Sequence, residues 1–270
     1  MSEKECVLSL SYGKDSLACL GAIEELGLRL DRIVHAEVWA TDTIHADFPE
    51  MIAFKKKADK IIFDRYGIKV EHFRADVTYE QQFYKTRFNK KLGKECIYGF
   101  PIMRGAWCND RLKMAALRKC KTKGIEYIGI AYDEPNRFHT LTEKKRSPLV
   151  EAEWTEAKCR EWCEQNDLLS PIYTTASRGG CWFCHNQGVE QLRLLRKKHP
   201  DLWELLLKWD KDSLVSFKPD GHTVHDFDKR FSLEDKGLID ASAPFRWKML
   251  NEPLQLNLFT ANKNFKNDEM

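Results

Sequence analysis

The sequence lacks any long apolar run, and this absence excludes a membrane-spanning helix. No stretch among the 270 residues approaches 18 consecutive apolar positions, whereas a transmembrane helix needs about 20. The first residues, MSEKEC, are charged and lead directly into an apolar strand pattern. They therefore lack the anatomy of a signal peptide, and we expect the protein to be cytoplasmic.

A strong net charge is also absent. The formal charge of +3 is mild, and it does not by itself argue for a nucleic-acid partner. Basic residues do cluster locally around Arg111 and Arg193. Such clusters are most typical of solvated helix faces, but they leave thiolation of a tRNA or DNA substrate open as an alternative function.

Cysteine, by contrast, is plentiful. The chain carries nine cysteines, and in a reducing compartment such an excess points to metal binding or catalysis rather than to disulfides. None of them follows Cys184 in the sequence.

Short apolar strands alternate with long amphipathic helices in the first half of the chain. Alternation of this kind implies crossover connections and a parallel sheet. The predicted strands cover residues 7–10, 32–39, 68–73 and 125–131, and the predicted helices cover residues 15–26, 48–66, 79–92 and 109–123.

The pattern changes after Pro148, where helices continue without any convincing strand. Helices are predicted over residues 154–165, 191–199 and 201–209. We therefore predict two domains: an α/β nucleotide-binding domain over residues 1–150, and a helical region with a C-x-x-C motif over residues 151–270.

The first strand meets the first helix in a short polar loop, SYGKDS. It is not a Walker A loop, which needs two glycines five apart followed by Lys and Ser/Thr. It still offers a glycine backbone, two hydroxyls, a cation and a carboxylate that suit phosphate or a phosphate-bound metal ion, at Ser11, Gly13, Lys14, Asp15 and Ser16. A strand-to-helix turn with a capping side chain explains the same residues equally well.

Cys181 and Cys184 form a C-x-x-C motif after two glycines, a spacing that lets two thiolates grip one metal ion or cluster. A complete set needs two more ligands. The candidates are Cys108 and either Cys163 or Cys159, which lie one helical turn apart on one face. Four thiolates suit Zn²⁺ or a [4Fe–4S] cluster, and the ligand count does not decide between them.

Taken together, the loop and several later stretches resemble the phosphoadenosine phosphosulfate (PAPS) reductase branch, of the phage and bacterial type, of the PP-loop adenine nucleotide α-hydrolase superfamily. The loop of that family reads Ser-Gly-Gly-x-Asp-Ser, so Tyr12 stands where the family usually has glycine. The other matching stretches are residues 40–50, 105–117, 128–137, 147–173 and 178–184.

The resemblance implies a doubly wound, Rossmann-like parallel sheet with a helical, cysteine-containing C-terminal part. It implies an ATP or PAPS-like adenine nucleotide, with Mg²⁺, held by Ser11, Tyr12, Gly13, Lys14, Asp15, Ser16 and Asp42. It favours a [4Fe–4S] cluster over Zn²⁺, at Cys108, Cys163, Cys181 and Cys184. The expected catalytic residues are Lys14, Asp15 and Arg137; Arg137 follows the fourth predicted strand, although a surface loop explains it equally well.

Two chemistries fit this family. One is adenylyl transfer with release of pyrophosphate, coupled to sulfur delivered by a donor such as a cysteine desulfurase. The other is reduction of PAPS or its unphosphorylated form with a thioredoxin-like reductant. Standard reductases carry a nucleophilic cysteine near the C-terminus, and none follows Cys184 here, so we favour adenylyl transfer. A non-catalytic nucleotide-sensing or nucleic-acid-associated module is a further alternative.

Overall fold

The computed structural model describes residues 4–90, 92–101, 106–120, 123–174, 179–242 and 247–250. Its strands, numbered along the chain, are β1 (Cys6–Ser9), β2 (Arg32–Glu37), β3 (Val70–Arg74), β4 (Thr86–Asn89), β5 (Lys94–Ile97), β6 (Ile125–Tyr127) and β7 (Lys145–Arg146). Its α-helices are α1 (Lys14–Glu25), α2 (Pro49–Tyr66), α3 (Tyr79–Tyr84), α4 (Ala115–Cys120), α5 (Pro148–Glu151), α6 (Glu156–Gln165), α7 (Val189–Lys198), α8 (Pro200–Asp212) and α9 (Val224–Asp235).

The chain divides into two units. The first unit comprises residues 1–85 and 105–184, and the second comprises residues 86–104 and 185–270. The division differs from the predicted boundary at residue 150. The physical reason is the position of α6, whose Cys159 and Cys163 are buried in the same apolar core as the residues of α1.

The first unit is built on a five-stranded parallel sheet in the order β3–β2–β1–β6–β7. In the register, Leu8 lies opposite Ile33 on one side and Tyr127 on the other. This confirms the predicted α/β parallel sheet and is compatible with a Rossmann-like fold. The strand order reverses between β1 and β6, and open α/β sheets bind their ligands at such a point, beyond the carboxyl ends of the strands.

Helices cover both faces of this sheet because successive strand residues point to opposite sides. Leu8 and Ile33 belong to one core with apolar residues of α1, α2 and α6. Their neighbours Val7 and Val34 pack instead with Cys120 of α4. Burial of apolar residues on both faces is the main stabilising contribution to such a layered fold.

Helix α1 packs closely against α6 because Gly21 has no side chain. A Cβ at this position would lie 2.5 Å from Cε2 of Trp162 and 2.8 Å from the ring of Trp154. Trp154 also donates a hydrogen bond from its indole nitrogen to Glu25, at the end of α1. These contacts fix the helix that begins at the SYGKDS loop.

The prediction of one helix over residues 79–92 was wrong. Helix α3 ends at Tyr84, and β4 and β5 then form an antiparallel hairpin. Gly93, between the two strands, has a φ of +64°, which glycine adopts without steric cost.

The second unit joins this hairpin segment to the C-terminal helices. The rings of Phe100 and Phe217 lie 5.2 Å apart, edge to face, and the Phe100 N–H contacts the Ser213 hydroxyl at 3.4 Å. Thr223 caps α9 by accepting a hydrogen bond from the Asp226 N–H. A group of arginine–carboxylate pairs connects α7 with α9, through Arg193, Arg196, Asp228, Glu234 and Asp235.

Among the described residues, none of the helices combines the length and the hydropathy needed to cross a bilayer.

Candidate functional site

A cleft of about 370 Å³ opens in the first unit next to the end of β1. Its lining includes Ser11, Gly13 and Ser16 from the SYGKDS loop, together with Gly129 from the segment after β6. The cleft therefore lies where the strand order reverses, so that the predicted loop occupies the position at which this architecture binds ligands.

Serine side chains hold the loop in its conformation. The Ser11 N–H donates to Oγ of Ser16 at 3.1 Å, and that hydroxyl lies 3.0 Å from the carbonyl oxygen of Gly13. The two serine hydroxyls are 2.9 Å apart. Gly13, the residue before α1, provides no side-chain cap, and it therefore leaves N–H groups of the first turn available to an anion.

The loop also needs the glycine at position 129. A Cβ on Gly129 would lie 2.6 Å from the backbone nitrogen of Ser16 and 2.8 Å from the carbonyl carbon of Asp15. Only a residue without a side chain lets the segment after β6 approach the first turn of α1 this closely.

Tyr12 is buried beneath the loop and has a φ of +58°, a left-handed conformation that is costly for a side chain of this size. Its hydroxyl bonds to Asp59 of α2 and lies 3.3 Å from Nε2 of His72 on β3. The loop is thereby tied to two neighbouring elements. Burial and the Asp59 carboxylate raise the pKa of Tyr12, which keeps its hydroxyl protonated.

Both backbone groups of Lys14, its N–H and its carbonyl, form hydrogen bonds with side chains. Its N–H donates to the Tyr173 hydroxyl at 2.9 Å, and its carbonyl oxygen accepts from the Cys163 thiol at 3.3 Å. Burial opposes the charge of the Lys14 ammonium, but the nearby Asp15 and Glu156 carboxylates raise its pKa. The ammonium contacts Asp15 at 2.8 Å and Glu156 at 3.3 Å, and Lys14 is not among the described residues that line the cleft.

Three carboxylates gather beside the loop. Oxygens of Asp15, Glu134 and Glu156 lie within 4.8 Å of one another. Burial raises the pKa of Asp15 against the opposing effect of Lys14. Arg137 lines the cleft and contacts both carboxylate oxygens of Glu134 at 2.8 Å. An all-oxygen donor set of this kind fits the ligand preference of Mg²⁺.

Three further residues of the cleft, His35, Asp47 and Lys55, were missed by the sequence analysis. Nδ1 of His35 donates to the Leu10 carbonyl at 2.8 Å, so Nε2 accepts from the Lys55 ammonium at 2.9 Å. Lys55 also contacts Asp47 at 2.5 Å. Burial and then the charge of Lys55 lower the pKa of His35 to about 3, so the ring is neutral.

A signal for Lys55 was present in the sequence. It lies on α2 within an apolar stripe formed by Met51, Phe54, Ala58 and Ile62, all of which are buried. A lysine inside such a stripe is uncommon without a partner or a task. The sequence analysis predicts a helix over residues 48–66 and assigns no role to this lysine.

Three of the four predicted cysteine ligands come together. The three are Cys108, Cys181 and Cys184, which lie near the buried Tyr79 hydroxyl. Burial raises the pKa of Tyr79, and these cysteines raise it further. The Tyr79 ring packs against Trp107 and Phe183. Cys181 also lines the cleft. Burial raises the pKa of Cys181 to about 12, and it raises that of Cys108 as well.

The structure does not place Cys163 with these three. Its thiol faces Lys14 and α1, and Cys159, one turn earlier on α6, is buried in the same core. Burial raises the pKa of both thiols to about 12. The predicted four-cysteine set is therefore not assembled, because α6 turns its cysteines toward α1.

The sulfur atoms of Cys108, Cys181 and Cys184 do not all lie within 4.8 Å of one another. Tetrahedral Zn²⁺ with Zn–S bonds of about 2.3 Å places its sulfurs about 3.8 Å apart. The cysteines do not form a group within 4.8 Å; among the described residues only the three carboxylates do.

Asp42 does not reach the cleft either. It accepts a hydrogen bond from Gln81 at 3.1 Å and lines a separate small cavity of about 20 Å³ with Arg74 and Asp76. The turn after β2 carries Asp42 away and brings Asp47 into the cleft instead.

Comparison with known proteins adds no family to this description. A scan against protein-family models found no match, and a search of curated proteins found no similar sequence.

Proposed function

We propose that this protein binds ATP or a related adenine nucleotide in the cleft and transfers the adenylyl group to a second substrate, releasing pyrophosphate. The observation that carries the proposal is the convergence of Ser11, Gly13, Ser16 and Arg137 on one cleft where the strand order reverses. The sequence resemblance to PP-loop adenine nucleotide α-hydrolases supports the same fold class and the same ligand.

The proposed reaction needs positioning and charge neutralisation. An oxygen of the second substrate attacks the α-phosphorus, the bond to the bridging oxygen of the β-phosphate breaks, and the electron pair leaves with pyrophosphate. Backbone N–H groups of the loop and first turn of α1 bind the departing phosphates. Arg137 exchanges part of its contact with Glu134 for the developing negative charge.

Mg²⁺ belongs to this proposal because the donor set fits it. Asp15, Glu134 and Glu156 would hold the ion, which would neutralise phosphate charge. Lys14 already balances part of the carboxylate charge.

No step is assigned to an iron–sulfur cluster or to zinc, because Cys163, the fourth predicted ligand, faces the Lys14 carbonyl rather than the other three cysteines. Sulfur chemistry remains part of the proposal as a step that follows adenylyl transfer, and no residue of the cleft is assigned to it. A sulfur donor and a nucleic-acid acceptor are the partners that this chemistry would use.

Sulfonucleotide reduction is the second candidate, and the presence of Cys181 in the cleft is what favours it. Attack on a sulfonate needs a thiolate. The burial that raises the pKa of Cys181 to about 12 keeps the thiol protonated at neutral pH. Adenylyl transfer is therefore the better-supported reaction.

The test measures ATP binding by calorimetry. It also measures pyrophosphate release in the presence of Mg²⁺, with total tRNA as the adenylyl acceptor and sulfide as the sulfur donor. Arg137→Ala is expected to lower the release rate about 100-fold, the usual loss for one charge-stabilising donor. Arg160→Ala is the matched control, since Arg160 pairs with Glu164 on the surface of α6.

ATP binding without turnover would favour a nucleotide-sensing module over an enzyme. Sulfite release from PAPS in a thioredoxin-coupled assay, with no pyrophosphate from ATP, would favour the reductase.

A further inference from the structure

Tyr173 reaches the first turn of α1 from a distant part of the sequence. It lies in the 3₁₀ turn Pro171–Thr174, and its hydroxyl oxygen accepts the Lys14 N–H at 2.9 Å. That N–H is one of the free donors at a helix N-terminus that would otherwise face an anion. The hydroxyl oxygen therefore satisfies this N–H from within the chain.

The same hydroxyl is part of the cleft wall. Tyr173 lines the cleft together with Gly13 and Ser11, and a Cβ on Gly13 would lie 3.2 Å from the Tyr173 oxygen. The glycine at position 13 thus leaves room for the hydroxyl beside the loop. The side chain is only partly buried, so a bound molecule can contact it.

A phenolic hydroxyl that accepts one hydrogen bond still has its own proton to donate. Within the described part of the chain, the recorded hydrogen bond of the Tyr173 side chain is the one from Lys14, and no acceptor is recorded for the hydroxyl proton. Burial raises the pKa of Tyr173, so the proton is present across the neutral range. The strongest acceptors that could enter the cleft are the oxygens of an anion.

We propose that Tyr173 is a nucleotide-binding residue, whose hydroxyl accepts the Lys14 N–H and donates its proton to an anionic oxygen of the polyphosphate. The inference rests on the proposed function, and it adds a contact that the SYGKDS loop does not itself provide. The Tyr173 hydroxyl would thus link the Lys14 N–H at the start of α1 to a ligand in the cleft.

The experiment measures the affinity of the full-length chain for ATP, inorganic pyrophosphate and adenosine by titration calorimetry. Tyr173→Phe removes the hydroxyl and keeps the ring. We expect about tenfold weaker binding of ATP and pyrophosphate, the typical effect of losing a hydrogen bond to a charged group, with adenosine affinity unchanged. Tyr132→Phe is the matched control, since Tyr132 is exposed and does not line the cleft.

Each other outcome is decisive. If the wild-type chain binds neither ATP nor pyrophosphate, the proposed function fails. If the wild-type binds both and Tyr173→Phe binds them equally well, the role of Tyr173 alone fails. Tighter binding by Tyr173→Phe would identify a hydroxyl that only competes for the Lys14 N–H. An equal loss for adenosine would identify a purely structural role. Both results overturn the inference.

Discussion

At the scale of single residues, Tyr12 shows how one side chain can stabilise an unfavourable backbone. Its left-handed φ of +58° costs about 1–2 kcal/mol relative to glycine. The ring is buried, and the Lys55 ammonium lies 5.2 Å from its centre. The hydroxyl bonds to Asp59. The buried Tyr12 ring and its hydrogen bond to Asp59 attach the loop to α2, so the loop is held in place before a ligand binds.

Much of the loop could be predicted from the sequence because its residues are consecutive. Ser11, Gly13 and Ser16 sit between a strand pattern and a helix pattern, and they line the cleft as expected. Tyr173 could not be predicted in the same way, since it contacts Lys14 across a separation of 159 positions. Cys163 has a thiol that could bind a metal. The orientation of α6 determines where that thiol points, and no local sequence pattern predicts the orientation.

His72 gives the stability of the protein a defined pH dependence. It lies between Glu37 at 2.9 Å and Asp59 at 3.0 Å, and these hydrogen bonds raise its pKa to about 9. The protonated ring is favoured in the folded state, so its contribution is full below the unfolded pKa of about 6.5 and is lost as the pH rises through about 9.

We expect His72→Gln to remove about 1 kcal/mol of unfolding free energy at pH 6, a value reduced by solvent screening of the partly exposed ring. At pH 10 the difference from wild-type should largely vanish. Urea denaturation at both pH values measures this, and His139→Gln, an exposed histidine, is the control. A pH-independent difference would contradict the ion-pair explanation.

Cys163 should be dispensable for any metal that the protein holds. Its thiol faces the Lys14 carbonyl rather than Cys108, Cys181 or Cys184. Cys163→Ala is therefore expected to keep the iron or zinc content of anaerobically purified wild-type protein, as measured by elemental analysis. Cys159→Ala is the matched control from the same face of α6. Loss of metal from a folded Cys163→Ala protein, with Cys159→Ala unaffected, would restore Cys163 as a ligand.

At the scale of elements, the contact between α1 and α6 fixes the direction in which the loop points. The contact depends on Gly21, against which the indole rings of Trp154 and Trp162 pack. Glycine inside a helix normally costs about 1 kcal/mol relative to alanine, and here it permits the close approach of the two helices.

Gly21→Ala is accordingly expected to destabilise the first unit by about 1–3 kcal/mol through overpacking, although alanine is the better helix former. Trp162→Leu should recover part of this loss in the double variant, because it removes the nearer of the two clashing rings. Urea denaturation of the wild-type, both single variants and the double variant measures the coupling. Additive losses would show that the two positions do not pack together.

The element order was predictable where the periodicity is strong. Strands β1, β2 and β3 and helix α2 lie close to their predicted ranges, whereas β6 is shorter than predicted and β7 was not predicted. The sequence predicts one helix over residues 79–92, but the helix ends at Tyr84 and a hairpin follows. Gly93 was the available signal, since a glycine followed by a short apolar run is typical of a hairpin turn.

At the scale of the whole molecule, the second unit is discontinuous in sequence. Residues 86–104 join residues 185–270, and the contact between Phe100 and Phe217 illustrates the connection. A linear reading cannot recover such an arrangement, because a composition change marks only boundaries along the chain. The predicted split at residue 150 reflects this limit of local patterns.

Phe217→Ala is expected to disturb both segments of the second unit together. Phe217 is 1% exposed, and loss of a buried phenylalanine costs about 3 kcal/mol. Hydrogen exchange measured by mass spectrometry should show faster exchange in β4 and β5 as well as around residue 217. Leu214→Ala is the control, since Leu214 is 64% exposed. Unchanged protection of the hairpin would contradict a shared unit.

The discontinuity also sets the order in which the nascent chain can be completed on the ribosome. The hairpin segment emerges before residues 105–184, whose synthesis at roughly 5–20 residues per second takes on the order of ten seconds. Throughout that interval Phe100 has no Phe217 to cover it. The second unit can therefore be completed only after residue 217 has been synthesised, whereas its hairpin segment waits through the synthesis of residues 105–184.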